Sequence, residues 1–145
     1  MFIQRQAAKQ LACGYILTGE CADVLAARVL SLASIGRGAT LPNEVASEDQ
    51  RFFGVTIIRA MRAILRAELD LYMLYENLSA PMASSAATAD RNSIARLTED
   101  FISGLQAGFP STVDNVLRTS DKIEPSKAGS ADSVPCPLCL SYVIF

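Results

Sequence analysis

The chain has no histidine among its 145 residues. That removes the side chain whose ordinary pKa lies nearest neutrality and the commonest zinc ligand other than cysteine, so acid–base catalysis by this chain alone is hard to propose. A glycine-rich loop is missing as well, the kind whose backbone N–H groups cradle a triphosphate at the head of a helix. No uninterrupted apolar run approaches the roughly 20 residues that span a bilayer. Nor does the segment MFIQRQAAKQ at the amino terminus have the apolar centre of a signal peptide. Cytoplasmic residence, away from membranes, is the expectation. Basic excess is absent too: 13 Lys and Arg against 15 Asp and Glu give a net charge of −2, where a dedicated nucleic-acid-binding surface carries a strong positive balance. Any RNA contact is then local or shared with a partner.

What is present suits a single domain, since half of the residues are hydrophobic and a core of useful size can form. The pattern is organised around CGYILTGECADVLAARVLSLASIGRG, Cys13 to Gly38. Tyr15, Ile16 and Leu17 predict a short strand, Thr18-Gly19-Glu20-Cys21 a tight polar turn. Val24, Leu25, Val29, Leu32 and Ile35 predict the apolar face of a helix that Gly36 and Gly38 end. In open α/β sheets such a turn, at the carboxyl end of a strand, is where ligands are held.

On either side the pattern is plainer. Gln4 to Ala12 reads as a helix. Ala39 to Gln50, with Pro42, Asn43, Ser47 and the acids Glu44, Glu48 and Asp49, reads as a solvated loop. It leads to a buried strand at Val55 to Ile58, which completes a βαβ unit with the right-handed crossover such units adopt. A helix is predicted from Met61 to Asn77, with Ile64, Leu65, Leu69, Tyr72, Met73 and Tyr75 on its apolar side and Arg66 and Asp70 paired toward solvent. Ser79 to Thr88 is a small-residue loop. Asn92 or Ser93 caps a helix bearing Ile94, Leu97, Phe101 and Leu105, which Gly108-Phe109-Pro110 breaks. Ser111 with Asp114 has the spacing of a capping box for a last helix, so the two form an αα-hairpin. Glu124 to Pro135 has the composition of a linker. No internal repeat is present.

The turn also carries a resemblance. Thr18, Gly19, Ala22, Asp23 and Ala26 fit the Thr-Gly-His-Asn-Ala-Asp-Asp-x-Ala-Glu signature of PP-loop ATPases that thiolate or otherwise activate tRNA bases. Glu20, Cys21, Val24 and Ala27 replace its histidine, asparagine, second aspartate and glutamate. The chain more closely resembles the cytoplasmic tRNA 2-thiolation protein subunit 2 family, partner of the wobble-uridine thiolase. The likeness lies in TGEC, in the helix ending GRG, in VTIIRAMRAILRAELDLY, in LTEDFISGLQAGFPSTVDNVLRTSDKI and in the late Cys-x-x-Cys, in order from about Ala8 to Cys139.

The resemblance implies an α/β fold: a partial PP-loop (adenine nucleotide alpha hydrolase-like) domain with a parallel strand pair, packed helices, a helical hairpin and a disordered C-terminal tail. It divides into a PP-loop-like region at 1–78, a flexible loop at 79–92, the hairpin at 93–123, and a linker with the cysteine tail at 124–145. It further implies a C-terminal portion of a non-catalytic subunit for 2-thiolation of the wobble uridine in cytoplasmic tRNAs for Lys, Glu and Gln. The implied partners are tRNA, the catalytic subunit 1 and, indirectly, the ubiquitin-like sulfur carrier that also modifies proteins by urmylation. No ATP is expected at this chain alone. Two alternatives stand beside this: an ATP-dependent tRNA sulfurtransferase in its own right, or a helical interaction module unrelated to tRNA.

Several side chains admit two readings. Thr18, Gly19, Glu20, Cys21 and Asp23 are a nucleotide-site remnant. Cys21 is either a sulfur carrier, since a helix N-terminus favours the thiolate, or a small core residue. Glu20 and Asp23 either hold magnesium beside a triphosphate or cap the following helix. Arg59, Arg62 and Arg66 recur at spacings of three and four, either as an RNA or phosphate contact or as an ordinary charged shoulder. Cys136 and Cys139 have the bite of half a zinc knuckle, which needs further ligands from elsewhere, or form a redox or chance pair. Their setting suits reduced thiols or metal better than a disulfide framework.

Overall fold

The computed structural model describes residues 2–51, 54–78, 93–123, 134–135 and 142–143. In chain order these form α1 (Phe2–Gln10), β1 (Tyr15–Thr18), α2 (Ala22–Ser34), a 3₁₀ turn (Gly38–Thr40), α3 (Leu41–Val45) and β2 (Glu48–Asp49). They continue with β3 (Thr56–Arg59), α4 (Arg66–Tyr75), α5 (Ile94–Gly108), α6 (Thr112–Ser120), β4 (Val134–Pro135) and β5 (Tyr142–Val143). The result is a mixed α/β fold whose described residues contain a small sheet of order β1-β3-β2 and a separate β4-β5 pair.

In that sheet β1 and β3 are parallel, Tyr15 opposite Thr56 and Thr18 opposite Arg59, as the two β-branched runs predict. The short β2 joins antiparallel on the other side of β3, with Asp49 opposite Ile57. Because side chains alternate along a strand, Ile57 and Arg59 share one face of β3, and both are buried.

The core forms around α2. Leu25 and Ala26 are fully buried there, and Ala22, Ala27 and Val29 nearly so, against Leu41 and Val45 of α3, Ile102 of α5, and Val113 and Leu117 of α6. Alanines let the neighbouring helices approach closely, while Leu25 and Val29 fill the space between them. α2 and α3 therefore share one hydrophobic core with α5 and α6.

Three helices stop in the same way. Ala12, Gly36 and Asn77 have φ of 53°, 74° and 52°, and the next residue's N–H reaches back to the carbonyl five positions earlier. The bonds are Cys13 to Ala8 at 2.8 Å, Arg37 to Leu32 at 2.8 Å and Leu78 to Met73 at 2.9 Å. This is the Schellman closure, in which a left-handed residue turns the chain and satisfies a terminal carbonyl. Gly36 thus ends α2 as its sequence predicts, whereas Gly38 opens the 3₁₀ turn.

Four other expectations change. Ala39 to Gln50 is not a solvated loop: it holds the 3₁₀ turn, α3 and β2, with Thr40, Leu41, Val45 and Asp49 buried. Pro42 marks a break only in appearance, because proline is favourable in a first helical turn, where its missing N–H would have no partner. The helix expected from Met61 begins at Arg66. Ser111 does cap α6 by position, but its side chain makes no capping bond. Instead Gln106 of α5 accepts the Val113 N–H at 3.2 Å and donates to the Pro110 carbonyl at 2.8 Å, tying the hairpin at its corner. Ser93 caps α5 through its hydroxyl, which accepts the Arg96 N–H. Asn92, the loop at 79–92 and most of 124–145, including Cys136 and Cys139, lie outside the described residues. The β4–β5 pair stands where the resemblance implies a disordered tail.

Candidate functional site

The turn from β1 into α2 is built around one carboxylate. Glu20 lies two residues past the end of β1 and receives two arginines, Arg28 of α2 at 2.5 Å on Oε1 and Arg59 of β3 at 3.1 Å on Oε2. The Thr18 hydroxyl donates to the same Oε2 at 3.5 Å. Arg59 reaches Glu20 because the parallel register sets it opposite Thr18. It is 2% exposed, and its Nη1 donates to the Ala46 carbonyl at 2.8 Å and to the Asn43 carbonyl at 3.5 Å. Its buried Nη2 has no acceptor among the described residues. A buried guanidinium demands a charge partner, because desolvating an ion costs several kcal/mol when nothing compensates it. Glu20 is that partner.

Cys21 and Asp23 are also engaged in the architecture. Cys21 is buried at the N-cap position of α2, where its thiol makes no capping bond. Asp23 does not cap its own helix. Its Oδ2 accepts the Arg66 N–H at 2.7 Å, at the head of α4, while the Ala22 N–H donates to the Ile64 carbonyl at 2.9 Å. The starts of α2 and α4 are thereby laced together, with Asp23 and Glu68 supplying negative charge where α4 presents unpaired N–H groups.

Arg59, Arg62 and Arg66 do not form one cluster. Arg59 points into the protein. Arg62 donates from Nε to the Val45 carbonyl at 2.6 Å and pairs with Asp121 just beyond α6 at 2.5 Å, linking the strand exit to the hairpin. Arg66 is the exposed member. The spacing suggests one helical face, but residue 59 ends a strand and 60–64 are a turn, so helical periodicity does not apply across them.

A second charged knot, unread in the sequence, backs the sheet. Asp49 is 1% exposed and takes Arg51 in a bidentate grip, Nε to Oδ1 at 2.8 Å and Nη2 to Oδ2 at 2.7 Å, while Glu44 receives the same Nη2 at 3.2 Å. Burial presses the Arg51 pKa down, but the hydrogen bonds and charges of Asp49 and Glu44 outweigh it and hold the pKa above the ordinary value. Burial lowers that of Arg5 on α1, with Asp49 opposing in part. The spacing of Asp49 and Arg51, two residues apart, and Arg28, the one basic residue of α2, are the signals that this polar framework leaves in the sequence.

Two clefts open beside α2. One of about 290 Å³ lies over its later turns, lined by Arg28, Ser31, Arg37, Glu44 and Thr98 among others. The other, about 530 Å³, brings Asp23 and Arg66 together with Arg96, Glu99 and Asp100 of α5. Its two basic groups face three acids, so it offers no net positive field to a phosphate backbone. Among the described residues, no group of three or more His, Cys, Asp or Glu side chains converges on one point. No helix there is long and apolar enough to cross a membrane.

Fold and site define a mixed α/β protein whose strand-to-helix turn is closed by internal ion pairs. The model of the cytoplasmic tRNA 2-thiolation protein 2 family matches residues 93–144. Curated relatives extend the likeness to most of the chain. A cytoplasmic tRNA 2-thiolation protein 2-A of Xenopus laevis is 41% identical over 89% of this chain and 27% of its own length. Proteins named cytoplasmic tRNA 2-thiolation protein 2 from Danio rerio and Aedes aegypti are 36% and 39% identical, over 86% and 87% of this chain and 26% and 28% of theirs. The chain thus spans a little over a quarter of the length of these relatives. No solved structure matches it.

Proposed function

We propose that this chain is part of a cytoplasmic, non-catalytic subunit required for 2-thiolation of the wobble uridine in tRNAs for Lys, Glu and Gln. It acts as a heterodimer with a catalytic subunit 1 that receives sulfur from a ubiquitin-like carrier. The observation that carries this reading is the likeness to proteins named for tRNA 2-thiolation across nearly nine-tenths of the chain.

The fate of the turn favours a supporting role over chemistry. A thiolating site needs a gripped nucleotide, an activated base and a reactive thiolate. Here Glu20 is engaged by Arg28 and Arg59, Asp23 holds the head of α4, and Cys21 is enclosed. We read the parallel pair β1–β3, with α2 between its strands in sequence, as the remnant of a PP-loop domain, and Thr18 to Asp23 as its former nucleotide turn. In that reading Arg59 and Arg62 brace the turn and its surroundings from inside, and Arg66 is the one of the three left at the surface.

The test is the 2-thiouridine content of tRNA from cells in which the gene is disrupted, measured by mass spectrometry of nuclease digests. Loss of 2-thiouridine from the Lys, Glu and Gln tRNAs is expected. Unaltered content contradicts the reading.

A further inference from the structure

The outer side of α4 is apolar where a surface helix is ordinarily polar. Leu65, Leu69 and Met73 are its half-buried inner side. On the opposite side Leu71, Leu74 and Tyr75 follow at helical spacing with Tyr72 beside them and Leu78 just past the cap. They are 67%, 76%, 84%, 58% and 56% exposed, respectively. Together these five residues expose an apolar area on the order of the 300–600 Å² that the largest apolar patch of a typical monomer covers. The Schellman closure at Asn77 holds the end of the helix in place without help from outside, so the stripe is not needed for the helix to form.

Charge around the stripe selects the occupant. On a helical wheel Asp70 stands on one side of Leu71, Leu74 and Tyr75 and Glu68 on the other, between Tyr75 and Tyr72, both exposed and neither in an ion pair among the described residues. Arg66 is the helix's one basic residue and lies toward the other side. Acidic margins disfavour an anionic lipid surface, which selects basic flanks. A second copy of this chain brings the same acids, and its α4 offers only Arg66, which lies away from the stripe.

The structure assigns the outer stripe of α4 as the docking surface for an amphipathic helix of a partner protein whose apolar face is flanked by lysine or arginine. Such a helix lays its apolar positions against Leu71, Leu74 and Tyr75, while its basic flanks meet Glu68 and Asp70. The assignment rests on the proposal that the chain works as a heterodimer, and locates where the second subunit grips it.

The experiment uses the purified full chain with purified catalytic subunit 1 as the probe, read by titration and by sedimentation. Leu74→Glu combined with Tyr75→Glu is expected to weaken association at least 100-fold while the melting curve of the chain alone is unchanged. Asp70→Lys is expected to weaken it several-fold, with the difference lost at high salt. Equal binding by the double variant and the unaltered chain overturns the assignment and leaves the function standing. It is also overturned if the double variant dissolves a self-association, releases the chain from phosphatidylserine vesicles, or lowers the melting point of the lone chain, since each identifies a different occupant. Failure of subunit 1 to bind the unaltered chain removes the heterodimer itself.

Discussion

Arg59 is a buried cation held by one carboxylate and two carbonyls, and the consequences of that arrangement are measurable. Removing Glu20 leaves the guanidinium without its counter-charge, which costs about 3 kcal/mol when a buried ion loses its partner. Glu20→Ala should therefore lower the chain's unfolding free energy by about that amount in urea titration. Glu20→Gln recovers part of it through a neutral hydrogen bond. Cys21 gives the opposite case. Its backbone has the extended geometry of an N-cap, φ −87° and ψ 171°, but its thiol makes no capping bond, so serine at this position supplies the oxygen that caps α2 best. Cys21→Ser should leave stability unchanged or raise it by up to about 1 kcal/mol. A small buried residue was one of the two readings open at Cys21, whereas the role of Glu20 was not legible in the residues alone. A glutamate in a glycine turn has the look of solvated charge until the parallel register brings a buried arginine opposite Thr18, 39 residues on from Glu20.

At the scale of elements, the shared left-handed stops make paired predictions. Gly36→Ala places a Cβ at φ 74°, in open space, so its cost is conformational and about 1 kcal/mol, a lowering of melting temperature by roughly 3 °C. Ala12 already carries that strain at φ 53°, and Ala12→Gly should raise stability by about 0.5–1 kcal/mol. The hairpin corner offers a similar contrast. Gln106→Ala removes the acceptor at the head of α6 and costs about 1 kcal/mol, while Ser111→Ala is close to neutral in the same denaturation assay. β1, β3, α2 and α5 were legible because periodicity and a terminator agree: short apolar runs, apolar residues three and four apart, then Gly36 or Gly108. α3 was not, because Pro42 and three nearby acids look like a loop when the burial of Leu41 and Val45 in the core and of Asp49 beside β3 is unknown. The head of α4 was misplaced for a related reason. Apolar periodicity runs on through Ile64, but Arg59 and Arg62 are drawn inward toward α3 and hold 60–64 in a turn.

The whole molecule is a helical core carrying a narrow sheet. α2 is its centre, α3, α5 and α6 pack on it, and the two charged knots fasten the sheet to that core through Glu20, Arg59, Asp49 and Arg51. The polar residues of the β1–α2 turn belong to this fastening, and in the proposed role in thiolation they act by shape instead of reaction. The direct measurement is the 2-thiouridine content of tRNA in cells whose sole copy of the protein carries Cys21→Ser, with its abundance checked in parallel. Wild-type levels of 2-thiouridine are predicted. Loss of the modification at undiminished protein abundance contradicts the account and makes Cys21 a participant in sulfur transfer.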